Sequence, residues 1–118
     1  MIYRMETPED LSEIFEDLPA EWVQFLTENC TNPRCYIIAE IDSELVGYVV
    51  ALNSVMLPMS DYFTIILDGG DPHAAIEGLK AEAKKCGAIK IVRAAYAFTP
   101  ELEEEGWEQE SIQLQMVL

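Results

Sequence analysis

The sequence predicts an α/β domain with a mixed β-sheet covered by helices on both faces. Three observations predict it. Two adjacent β-rich runs in "CYIIAEIDSELVGYVVAL" are nearly continuous in apolar residues, as expected of central strands covered on both sides. Strands and helical patterns alternate in the second half of the chain. Helix starts and stops are marked by Thr-Pro pairs and glycines. A length of 118 residues suits one domain spanning 1–118, and a hydrophobic content of 50% suits a packed core.

Residues 2–5 read as a short first strand. In "TPED", Thr7 is placed to cap a helix, Pro8 to take its first position, and Glu9 and Asp10 to face the positive end of its dipole. Leu11, Ile14, Phe15 and Leu18 follow at helical spacing until Pro19 interrupts. A second helix, about 20–28, presents Trp22, Val23, Phe25 and Leu26, and "CTNPRC" ends it in a loop. The strands 35–41 and 45–52 form a hairpin around residues 42–44, with Gly47 marking a bulge or a close backbone approach. After a loop containing Pro58, "YFTIILD" is a further strand. Beyond the turn "GGDP", Ile76, Leu79, Ala83 and Cys86 share one helix face, which assigns Cys86 to the core, and Gly87 ends that helix. "AIKIVRAAY" is the next strand, Thr99 and Pro100 start a short helix closed by Gly106, and "SIQLQMVL" alternates as a half-buried last strand. Such a strand is an expected edge for pairing with a second copy.

Charge narrows the partners. With 22 acids against 7 bases the formal charge is −15, which repels a phosphate backbone and argues against nucleic acid. No Lys or Arg lies between Arg4 and Arg34, where Glu6, Glu9, Asp10, Glu13, Glu16, Asp17, Glu21 and Glu28 fall. That pattern describes a solvated helix face, or a surface for a cationic ligand or basic protein. No apolar run approaches the roughly 18–20 residues of a membrane span, and no secretory signal pattern is present, so a cytoplasmic location is expected. Cys30, Cys35 and Cys86, with His73 as the only histidine, fall short of the about four ligands of a closed zinc site, so no metal is expected.

The element order resembles that of the GNAT superfamily of N-acetyltransferases. "YRMETPEDLSEI" looks like that family's opening strand and helix, "CYIIAEIDSELVGYVVAL" like its hairpin, and "AEAKKCGAIKIVRAAYAFTPELEEEGWEQE" like its closing helix, strand and short helix. The resemblance covers nearly the whole chain and implies acetyl-CoA as cofactor. In that family the pyrophosphate rests on backbone N–H groups at the start of the helix after the fourth strand, on a loop of the form Q/R-x-x-G-x-G/A.

Here those six positions fall on Asp68, Gly69, Gly70, Asp71, Pro72 and His73. The basic or amide position is an acid, and Asp71 and His73 stand where small residues belong. Asp71 is a strong N-cap residue whose carboxylate competes for the phosphate's donors, Pro72 lacks an N–H, and two carboxylates oppose an anion. Where the resemblance implies a Tyr as general acid, four residues before the last glycine, stands Leu102, and Tyr96 is the nearest substitute. The resulting expectation is a degenerate N-acetyltransferase with weak or no acetyl transfer, acting as a small binding or regulatory module. The alternative is an active acetyl-CoA-dependent enzyme acting on a small cationic amine or basic peptide, with Gly69, Gly70, Asp71 and His73 at the cofactor and Tyr96 as the acid. An unrelated α/β fold without a ligand is the third possibility.

Overall fold

The computed structural model describes residues 1–16, 18–56, 60–95, 97–109 and 115–118. Five strands form one sheet in the order β1-β2-β3-β4-β5: β1 Ile2–Arg4, β2 Cys35–Asp42, β3 Glu44–Met56, β4 Ser60–Gly70 and β5 Lys90–Arg93. The first four are antiparallel neighbours, and β4 and β5 are parallel. A parallel pair needs a crossover, supplied by α3, His73–Lys85.

The helices begin as the sequence indicates. Thr7 accepts from the Asp10 N–H at 3.4 Å, while the Asp10 carboxylate accepts from the N–H groups of Glu6 and Thr7, each at 3.0 Å. This capping box opens a 3-10 turn, Pro8–Leu11, that runs into the short α1, Ser12–Phe15. α2 is Ala20–Asn29, and α4 is Pro100–Glu104, capped by Thr99.

Alternation along the central strands divides the core in two. Cys35, Ile37 and Ala39 of β2, with Tyr48 and Val50 of β3, pack under Leu11, Ile14, Leu26 and Cys30 of the N-terminal helices. Tyr36, Ile38, Val49 and Ala51 face the other way and pack with Phe63, Ile65 and the α3 residues Ala75, Ile76, Leu79 and Ala83. Both faces of the hairpin are therefore covered, as its apolar runs require. A fully buried side chain such as Phe63 contributes about 1.5–3 kcal/mol by leaving water.

Four expectations are corrected. The β2–β3 hairpin is tighter than the sequence suggests: Asp42 pairs with Glu44 around Ser43, whose φ is 64°. The glycines after "ILD" belong to β4, where Gly69 pairs with Tyr48 and Gly70 with Gly47. Cys86 is exposed, because it follows the last turn of α3 and its Sγ lies 3.2 Å from the Tyr36 hydroxyl. Of the expected last strand, residues 111–114 lie outside the described residues, and residues 115–118 form no strand, with Met116, Val117 and Leu118 exposed.

Gly47 holds the close approach anticipated for it. A Cβ there would lie 1.9 Å from the Asp71 carbonyl oxygen, and a one-residue bulge beside it skips Val46 in the pairing with β2. Val46 in turn accepts the Asp71 N–H at 3.0 Å. Gly47→Ala is therefore expected to destabilise the protein by about 2–4 kcal/mol, measured by urea unfolding.

Asp10 supplies a test by pH. Hydrogen bonds from the backbone of Glu6, then from the side chain and backbone of Thr7, hold its carboxyl below the ordinary carboxylate range. A depressed folded-state pKa contributes stability above the unfolded value, and that stability disappears as pH falls through the folded value. Asp10→Ala is expected to lower the melting temperature at neutral pH and to change it much less near pH 2, the difference being read by thermal melts at both pH values.

Candidate functional site

A cavity of about 230 Å³ opens beside the start of α3. Its walls are Asp71, Pro72 and His73 at the helix entry, Ile76, Glu77 and Lys80 on α3, Arg93 at the end of β5, and Leu102, Glu105 and Trp107 at and after α4. Two sequence devices place the last wall. The N–H of Trp107 bonds to Leu102 O at 3.0 Å and that of Gly106 to Glu103 O at 3.0 Å, which is a complete Schellman motif. Gly106 has the left-handed φ of 96° that the motif needs. The motif folds the chain back so that Leu102 and Trp107 stand together against the cavity.

The helix entry is internally bonded. Asp71 donates its N–H to Val46, Pro72 has none, and His73 donates its N–H to Asp71 Oδ1 at 3.3 Å. Asp71 sits one residue before the N-cap position, which is Pro72, so it acts on the first helical amide rather than as the cap itself. The helix ladder begins with the Ile76 N–H to Pro72 O at 2.8 Å.

Charges in the cavity are mostly matched. Lys80 donates to Glu77 at 2.8 Å, and this hydrogen bond, then the Lys80 charge, lowers the Glu77 pKa. Arg93 Nη2 lies 2.8 Å from Asp68 Oδ2 and its guanidinium carbon 5.5 Å from the centre of the Trp107 ring. Asp68 is therefore neutralised, which removes one of the two carboxylates expected to oppose an anion. Asp71 and Glu105 have no cation within ion-pair distance among the described residues.

Of the candidate residues, Asp71 and His73 reach the cavity. Gly69 and Gly70 do not line it. A Cβ on Gly69 would lie 2.4 Å from the ring of the buried Tyr48, and Gly70 has φ 63° with Val46 O only 2.4 Å from where its Cβ would stand. Tyr96 lies outside the described residues. Leu102, at the position where the resemblance implies a tyrosine, does line the cavity. No group of three or more metal-ligating side chains occurs among the described residues. Sequence reasoning missed Arg93 and Trp107. Each carried a signal: an arginine at the end of an apolar strand in a base-poor chain, and an aromatic just after a helix-terminating glycine.

No family model matches the chain, and no curated protein matches it. Solved structures do. A glucosamine-6-phosphate N-acetyltransferase from Arabidopsis thaliana aligns over 99% of this chain and 97% of its own, at 14% identity and a TM-score of 0.72. A ribosomal-protein-alanine N-acetyltransferase from Brucella melitensis aligns over 100% and 98%, at 15% identity and a TM-score of 0.73. A transcriptional regulator from Bacillus halodurans aligns over 100% and 99%, at 16% identity and a TM-score of 0.71. The chain thus has the GNAT N-acetyltransferase fold. At these identities the likeness is one of fold, and a fold does not fix an activity.

The contact between Gly69 and Tyr48 separates a structural role from a ligand-binding one. Gly69→Ala is expected to cost about 1–3 kcal/mol in the native protein and much less when introduced into Tyr48→Leu, both read by urea unfolding.

Proposed function

We propose that this chain is a GNAT-superfamily protein whose acetyl-CoA loop has degenerated, with weak or no acetyl transfer, and that it serves as a small binding module. One observation carries the reading. At the turn into α3, the Asp71 N–H is bonded to Val46 O, Pro72 has no N–H, and the His73 N–H is bonded to the Asp71 side chain. A pyrophosphate held as the family resemblance implies needs such donors free and pointing at it. The Asp71 carboxylate stands at the same place and repels the anion. These residues do not fit a pyrophosphate.

The acidic surface supports a basic partner. Glu9, Asp10, Glu13, Glu16, Glu21 and Glu28 are all exposed around α1 and α2, on a chain of net charge −15. A second reading, an active acetyltransferase for a small cationic amine, is favoured by one observation: the cavity lies at the α3 N-terminus, and the nearby Asp68 is already neutralised by Arg93.

Calorimetric titration of acetyl-CoA and free CoA at neutral pH and moderate salt decides between them. The expected result is no saturable heat up to millimolar ligand. Saturable micromolar binding, followed by turnover with an amine, overturns the proposal in favour of the enzyme.

A further inference from the structure

Pairing decides the charge of the cavity beside α3. Its Lys and Arg side chains are both held, Lys80 by Glu77 at 2.8 Å and Arg93 by Asp68 at 2.8 Å. Two wall carboxylates are left over. Asp71 stands between the end of β4 and α3, and Glu105 is the C-cap of α4, so separate elements bring them to one cavity. Neither has a cation within ion-pair distance among the described residues. The His73 N–H bonds to Asp71 Oδ1 at 3.3 Å, which leaves Oδ2 for a ligand. The same wall carries apolar surface from Ile76, Leu102 and Trp107. A cavity of about 230 Å³ is smaller than the roughly 300–1,000 Å³ that holds drug-sized molecules, so it suits a ligand of a few carbons. The net charge of −15 on the chain adds a field that draws cations in.

We propose that this cavity binds a small organic ammonium ion, with its charge at Asp71 and Glu105 and its carbon body against Ile76, Leu102 and Trp107. The inference deepens the reading of the chain as a binding module and rests on it, since the anionic cofactor and a cation cannot share the cavity. A metal cation is the poorer match. Hard divalent ions take about six to eight oxygen ligands, and no group of three or more metal-ligating side chains occurs among the described residues. The apolar wall offers such an ion nothing. An alkylammonium needs fewer oxygens, stays charged at neutral pH as a lysine does, and gains by covering its methylenes. Two free carboxylates favour a diammonium over a monoammonium. A free diamine and the side chain of a basic peptide present the same group, and the probes below separate these sources.

Putrescine, butylamine, butanediol, acetyl-lysine amide, magnesium chloride and CoA are titrated separately into the protein at neutral pH and moderate salt. Binding is followed by calorimetry and by Trp107 fluorescence in a Trp22→Phe background, with thermal melts confirming the folded state of each variant. Putrescine is expected to saturate and to bind at least about tenfold more tightly than its neutral counterpart butanediol, with butylamine between them. Asp71→Asn and Glu105→Gln are each expected to weaken putrescine about threefold, and together about tenfold. Asp71→Asn keeps Oδ1 for the His73 N–H, and Glu105 is exposed, so both variants leave the fold in place. Glu13→Gln with Glu16→Gln removes the same charge from α1 and its C-cap, across the sheet, and is expected to leave putrescine binding unchanged. Acetyl-lysine amide binding as tightly as putrescine supports a basic peptide as the source, and weaker binding supports a free diamine. The inference is overturned, and the proposed function left standing, if putrescine binds no better than butanediol or magnesium while CoA is also silent. It is overturned equally if the Glu13 and Glu16 changes weaken putrescine as much as those at Asp71 and Glu105. Micromolar CoA binding by the native protein overturns the proposed function and this inference with it.

Discussion

The backbone of Asp71 lies directly against Gly47, with its N–H on Val46 O at 3.0 Å, and much of the molecule is arranged around that contact. Only a residue without a side chain permits it. The contact clamps the end of β4 to β3, which keeps Gly69 and Gly70 in the sheet rather than in a free loop. It also fixes where the chain leaves the sheet and therefore where α3 begins. Because α3 supplies four of the ten buried residues of one core, a polar turn and an apolar layer are positioned by the same few atoms. Held this way, the turn directs the Asp71 amide inward to Val46.

The cavity is a consequence of that arrangement meeting a second one. Parallel pairing of β5 with β4 stops at Arg93, and the chain then returns through α4 to place Trp107 near the guanidinium. Its walls combine apolar surface from Ile76, Leu102 and Trp107 with side chains of both signs. Carboxylates outnumber the available cations there, since Lys80 and Arg93 each already have a partner. The field inside such a cavity is set less by the count of charges than by which are already paired.

Most of the fold was legible because its signals are local. The Thr7 and Thr99 caps, the nearly continuously apolar β2–β3 hairpin and the helix-ending Gly106 each involve residues within a few positions of one another. The same holds for Asp71 and His73, which sit at a helix entry the sequence announces. What was not legible depends on partners far along the chain. Gly69 reads as a turn residue until Tyr48 is placed opposite it. Asp68 reads as an obstacle to anions until Arg93, twenty-five residues later, neutralises it. Cys86 fits an apolar helix face by periodicity, but the helix ends before it, leaving the residue exposed with its sulfur against the Tyr36 hydroxyl.

The two cores lie on opposite sides of a single layer of strands, and α3, which walls the cavity, packs on the side away from α1 and α2. Among the described residues the buried side chains of the two sides form separate clusters, so substitutions well apart on the two sides are expected to add. The acidic residues of the N-terminal helices thus act on the cavity only through screened long-range electrostatics. The sheet is thus a partition, with the acidic helices on one side and the cavity on the other.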